Sequence, residues 1–146
     1  MADFINTSDV VGAIVLEDSI VDRSVTEFRD NKVTYIGQYA FCGCDALTTV
    51  DIPMVTSIDD YAFWKCTNLS VLILRNTAGV VSIYEYSYAL YSTAIASGNG
   101  YIYVPAALVD SYKVTSRWQN YANQFRALES YTVDGTITGA LDTSKI

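Results

Sequence analysis

Apolar positions along the chain recur at a long fixed period. VTYIGQYAFCGCDALTTVDIP, residues 33 to 53, aligns without gaps on VTSIDDYAFWKCTNLSVLILR, residues 55 to 75, at a period of 22. Ile36 then falls on Ile58, Tyr39 on Tyr61, Ala40 and Phe41 on Ala62 and Phe63, Cys44 on Cys66, Leu47 on Leu69, Val50 on Leu72 and Ile52 on Leu74. A degenerate third copy, VVSIYEYSYALYSTAIASGNGYIYVP, spans residues 80 to 105. In it Ile83 takes the place of Ile58, Ala89 and Leu90 replace the Ala-Phe pair, Thr93 replaces the cysteine, and Ile102 and Val104 replace Leu72 and Leu74. SVTEFRDN, residues 24 to 31, reads as the strand and turn of an incomplete first unit.

Within a unit, the alternation in LTTVDIP and LSVLILR predicts a short strand with Val50, Ile52, Leu72 and Leu74 inward. The segment before the cysteine predicts a shorter strand and then a helical turn that drives Phe41 and Phe63 into the core. Asp45 and Asn68 fall in the next turn, where their side chains can bond backbone. Repeats of about 20 to 29 residues with recurring leucines stack into solenoids, because one unit cannot bury both of its faces alone. The expected fold is therefore α/β: a leucine-rich-repeat solenoid of about three and a half coils with short parallel strands.

These residues resemble a known family. The pattern I-x-x-x-A-F-x-x-C-x-x-L-x-x-V-x-I-P is that of the BspA-type leucine-rich repeat, found in bacterial surface proteins and in bacteriophage-encoded proteins. The resemblance spans Val33 to Pro105 and extends to GYIYVPAALVDSYKVTSRWQNYANQFRALE, residues 100 to 129, which is similar to the helical cap that closes such arrays. It implies adhesion and protein binding, carries no catalytic residues, and favours an extracellular, cell-surface or virion location.

The tail read by itself agrees with a cap. Pro105 can open a helix. Ala107, Leu108, Tyr112, Trp118, Tyr121 and Phe125 supply an apolar face, with Asp110, Lys113, Arg117, Gln119 and Gln124 toward water. The Asp134-Gly135 pair between β-branched runs fits a hairpin, and a linker or a strand offered to another subunit equally. The expected organisation is 1–32 as N-terminal cap and degenerate first coil, 33–105 as repeats, 106–129 as helical cap and 130–146 as hairpin or linker tail.

Composition narrows the function. A chain of 146 residues, about half apolar and 17% charged, fits one globular domain and has no apolar run long enough to span a bilayer. Its net charge of −7 repels phosphate backbones and anionic lipid, so neither nucleic acid nor membrane insertion is expected. MADFINTSDVVGAIVLEDSI shows no basic n-region, and its apolar stretch is broken by Glu17 and Asp18, so no signal peptide is legible.

Catalytic chemistry finds little support. With no histidine, Ser-His and Cys-His pairs cannot form, and zinc at Cys42 and Cys44 would lack its commonest further ligand. Because Cys42 aligns on Trp64, only Cys44 repeats; Cys44 and Cys66 read as a ladder of buried thiols, Cys42 as the more accessible one. Asp59-Asp60 reads as a solvated turn rather than a glycosidase dyad, and SGNG at 97 to 100 lacks the lysine of a phosphate loop. Neither an enzyme nor a cofactor is expected.

Binding is expected instead, and two surfaces are candidates. Outward strand positions stack Thr49 on Val71 and Tyr101, and Asp51 on Ile73 and Tyr103, so the face turns from polar to aromatic toward the C-terminus. Val71, Ile73, Tyr101 and Tyr103 form one apolar patch there unless the C-terminal segment covers it. In YEYSYALY, strand alternation would project Tyr84, Tyr86 and Tyr88 one way, to bind a partner or to plug the irregular unit. The expected function is a non-enzymatic adhesion module recognising a protein or glycan through the strand face. The alternative is a structural subunit of a phage virion or surface assembly, self-associating through that face and the tail.

Overall fold

The computed structural model describes residues 14–15, 25–30, 32–83, 88–128, 132–133 and 136–137. Two parallel sheets alternate along the chain. The smaller, in order β1-β3-β5-β7, comprises Ile14–Val15, Tyr35–Ile36, Ser57–Ile58 and Ser82–Ile83. The larger, in order β2-β4-β6-β8-β9, comprises Glu27–Arg29, Thr49–Asp51, Val71–Ile73, Tyr101–Val104 and Phe125–Ala127. Every pairing in both is parallel.

The aligned residues are the paired ones. Phe28 sits opposite Val50, Val50 opposite Leu72 and Leu72 opposite Ile102. Ile36 sits opposite Ile58, and Ile58 opposite Ile83. Parallel backbone hydrogen bonding holds equivalent residues level, which is why the spacing of apolar residues and the strand register are the same information. One buried core takes side chains from both sheets, including Val50, Leu72 and Ile102 from the larger and Ile36, Ile58 and Ile83 from the smaller. Within it Phe28, Phe41 and Phe63 form a column, with centroids 5.0 and 5.1 Å apart.

The turns stack as well. Phe41 N–H donates to the Ala62 carbonyl (2.7 Å), Phe63 N–H to that of Ala89 (2.9 Å), and Gly43 N–H to that of Trp64 (2.8 Å). Just before each Cys44, Cys66 or Thr93 stands a residue in the left-handed region: Gly43 (φ 77°), Lys65 (φ 63°) and Ser92 (φ 62°). Only the first unit has the residue that adopts this conformation without steric cost. Asn68 Nδ2 donates to the Asp45 carbonyl of the preceding unit (2.7 Å). Gly100 is needed for close approach, since a Cβ there would lie 2.5 Å from the Ser70 carbonyl oxygen.

The C-terminal segment differs from the expected helical run to residue 129. Pro105 precedes a 3-10 turn at Ala106–Leu108, helix α1 runs only Val109–Val114, and a second 3-10 stretch covers Trp118–Gln124. The chain then returns as β9 beside β8. Thr115 turns extended and Arg117 takes φ 79°, which ends the helix. The edge of β8 supplies the hydrogen-bonding partners that a longer helix would have left open. Tyr112, Trp118, Tyr121 and Phe125 are buried as expected, whereas Ala107 is exposed. Beyond them Thr132–Val133 (β10) and Thr136–Ile137 (β11) pair antiparallel, a hairpin about the Asp134-Gly135 pair, which itself lies outside the described residues.

This segment also closes the edge of β7 with side chains. The Tyr112 hydroxyl accepts from Val81 N–H (2.9 Å), and Trp118 Nε1 donates to the Val81 carbonyl (2.6 Å). Arg117 reaches the Ile83 carbonyl at 3.4 Å. A cavity of about 230 Å³ lies at this junction, lined by residues 80–83 and 115–118.

Candidate interaction surface

The outward positions of the five-stranded sheet form one face, running from Glu27 and Arg29 through Thr49, Asp51, Val71, Ile73, Tyr101 and Tyr103 to Arg126. Its polar end is not the solvated surface that alternation predicts. Asp51 is fully buried: Arg75 grips its carboxylate with two bonds of 2.9 Å, from Nε and from Nη2, and Arg29 adds a third at 3.2 Å. Glu27 holds Arg29 from the other side at 2.9 Å.

Its apolar end keeps three of the four expected residues. Tyr101 is 43% exposed, and Val71 and Tyr103 are half-buried. Ile73 is a correction: it is fully buried, packed with Leu128, Val71 and Tyr103. The chain after β9 brings Leu128 over it, so the C-terminal segment covers one corner of this face and leaves the Tyr101 corner. There Arg126 lies 4.6 Å above the Tyr101 ring, a cation–π contact, and Tyr103 stands edge-on to Tyr101 at 6.3 Å. Arg126 escaped the sequence reading because β9 carries no repeat signature.

The second expected cluster resolves differently. Tyr84 and Tyr86 lie outside the described residues. Tyr88 is 39% exposed and stands in a column of rings on the turns, not in a strand. Tyr39 stacks on Tyr61 (5.2 Å, 10°), and Tyr61 meets Tyr88 (5.3 Å, 40°). Beside this row Trp64 stands at 67° to Tyr61, and Tyr91 at 59° to Tyr88. Lys65 Nζ sits 4.6 Å over the Trp64 ring. The Tyr61 phenol is raised above its ordinary pKa by partial desolvation first, and then by Tyr39, Tyr88, Asp60 and Tyr91 beside it, so it remains a donor at neutral pH. Identity of Tyr39 with Tyr61 was visible in the repeat; the insertion before Ala89 hid their continuation in Tyr88.

Asp59 and Asp60 do not form a solvated turn. Tyr35 donates its hydroxyl to Asp59 (2.6 Å), and the largely buried Asp60 accepts from Tyr88 N–H (3.3 Å). Cys44 and Cys66 are buried thiols in no disulfide and Cys42 is half-buried, as expected. Cys66 Sγ donates to the Phe41 carbonyl at 3.0 Å. Bonding with Cys44 comes first, and burial second, in pushing the Cys66 thiol well above the usual thiol range, which opposes a thiolate nucleophile. Among the described residues no group of three or more His, Cys, Asp or Glu side chains is placed to hold a metal ion, and no helix is long and apolar enough to cross a membrane.

Compared with curated proteins one by one, the chain matches none. A model of the BspA type leucine rich repeat region matches residues 23–103 in six copies. The matched range takes in every strand from β2 to β7 and most of β8, and it is more than half of the chain. On that match, and on parallel strands whose register repeats with the sequence, the chain belongs to the BspA-type leucine-rich-repeat family.

Proposed function

We propose that the chain is a short solenoid of about three and a half coils, closed at its end by residues 106–129, and that it works as a non-enzymatic binding module. Leucine-rich repeats of this family generally mediate protein interactions and are typically carried by surface-associated proteins. The proposed contact is with a protein, through the Tyr101 corner of the strand face. One observation carries this: Tyr101 remains exposed beside Val71 and Tyr103 with Arg126 on its ring, while Asp51 and Ile73 on the same face are buried, the one in its ion pairs and the other under Leu128. Exposed tyrosine with arginine over an apolar floor is the composition of interface hot spots.

A second reading, a structural subunit of a phage virion or surface assembly, is favoured by the position of β9. β9 is the outermost strand of the larger sheet among the described residues, the place at which a strand of another chain would add. Light scattering separates the two, since a strict monomer at high concentration removes self-assembly. The binding reading is tested by partner capture from the native source with Tyr101→Ala combined with Tyr103→Ala. Capture is lost while far-ultraviolet circular dichroism is unchanged; unaltered capture rejects this face.

A further inference from the structure

We infer that the aromatic column on the turns is a second binding site, and that it takes a neutral, extended, β-1,4-linked oligosaccharide. The column stands apart from the strand face. It lies on residues 39–43, 61–65 and 88–92, after the strands of the smaller sheet, whereas the strand face lies on the larger. Core packing does not account for it, because the neighbouring Phe41, Phe63 and Leu90 already fill the interior at these turns. Tyr91 is 54% exposed, the most of any aromatic residue among those described.

Geometry and chemistry together choose the ligand. The inner rings advance along the stacking direction by 5.2 and 5.3 Å, so the site repeats in one dimension and suits a linear ligand with a similar repeat. Trp64 and Tyr91, one unit apart, stand across the inner row at 67° and 59°. At 67° to Tyr61 and 58° to Tyr39, the Trp64 face does not point along the stack, and Tyr91 holds the equivalent place one unit on. A β-1,4-linked pyranose chain is extended and flat, offers axial C–H groups to the negative face of a ring, and carries hydroxyls at its rim. Groups for that rim come from exposed side chains of the same turns, Gln38, Ser92 and the phenol of Tyr91, while Asp59 and Asp60 are already held by the Tyr35 hydroxyl and by Tyr88 N–H.

Two further points favour a neutral sugar over other ligands. Both carboxylates and the net charge of −7 oppose an anionic chain. Gln38, Lys65 and Ser92 on these turns are exposed and polar, and offer neutral and cationic hydrogen-bonding groups to sugar hydroxyls beside the rings. Lys65 covers the Trp64 face and must swing aside for the sugar to bind, which its exposed, flexible side chain permits.

The full chain is titrated with cellohexaose and with chitohexaose by calorimetry and tryptophan emission. Trp64 is the reporter, since Trp118 is buried. Saturable binding of at least one is expected, weakened about tenfold by Trp64→Ala and by Tyr91→Ala. Binding is unchanged by Tyr101→Ala, so failure here and failure at the strand face are distinguishable. Lys65→Ala tightens it about two- to fivefold, by releasing the cation–π contact. Circular dichroism of each variant confirms its fold. The inference is overturned if neither hexasaccharide binds at millimolar concentration, if binding survives both ring variants, or if a hyaluronan hexasaccharide binds more tightly. Protein capture that depends on Tyr91 without sugar binding also overturns it.

Discussion

Asp51 shows what a single residue can do between units. Its carboxylate is fully buried and bonded to arginines from the units on either side, so removing it leaves Arg75, only 9% exposed, without its counter-charge. Asp51→Ala is expected to cost about 3 to 5 kcal/mol, the cost of breaking a buried pair from one side, read as a lowered urea midpoint. Backbone conformation sets a smaller effect at the residue before each cysteine position. Gly43→Ala places a Cβ in open space but at φ 77°, so its cost of about 1 kcal/mol is purely conformational. Ser92→Gly at φ 62° relieves the same strain but loosens the unfolded chain, and should stabilise by less than about 1 kcal/mol. Opposite signs at two equivalent positions would be visible in matched denaturation curves; equal signs would reject the conformational explanation. Gly100→Ala belongs to another class, because its Cβ meets Ser70 backbone that is already bonded to Tyr101 N–H, and about 1 to 3 kcal/mol of overpacking is expected.

Between elements, the junction of the C-terminal segment with β7 couples stability to pH. Burial raises the Tyr112 phenol from 10.0 to about 12, only partly offset by the bond it accepts from Val81. The unfolded chain then loses this proton near 10 while the folded chain holds it, so the contribution is complete below pH 10 and is lost as pH rises from 10 toward 12. Its size is about 2 to 3 kcal/mol. Raised values at Tyr121 and Cys66 act in the same direction. Urea midpoints should therefore fall through this alkaline window. Tyr112→Phe should make the fall shallower and, by leaving Val81 N–H without its acceptor, lower stability at neutral pH by about 1 to 3 kcal/mol. An unchanged alkaline slope in that variant would show that the loss does not come from Tyr112.

For the molecule as a whole, legibility followed the backbone ladder. Where parallel pairing forces equivalent residues level, as for Val50, Leu72 and Ile102, the repeat in the sequence placed strand, register and core together. Contacts made outside that ladder were hidden. Asp51 reads as a solvent position because its arginines are 22 and 24 residues away, β9 has no repeat partner in sequence, and neither has Leu128, the residue after it that packs on Ile73. Those hidden contacts decide how the array unfolds. Repeat arrays contact only neighbouring units and can lose them one at a time, but here a single core cluster runs from Phe28 to Phe125. Trp64 sits half-exposed on the middle turns and Trp118 is buried in the C-terminal segment. In Trp64→Phe the remaining emission reports the C-terminal segment while circular dichroism reports the whole chain. Coincident urea midpoints are expected, as one cooperative core requires. An earlier midpoint for Trp118 would mean that the C-terminal segment detaches first and that the repeats stand without it.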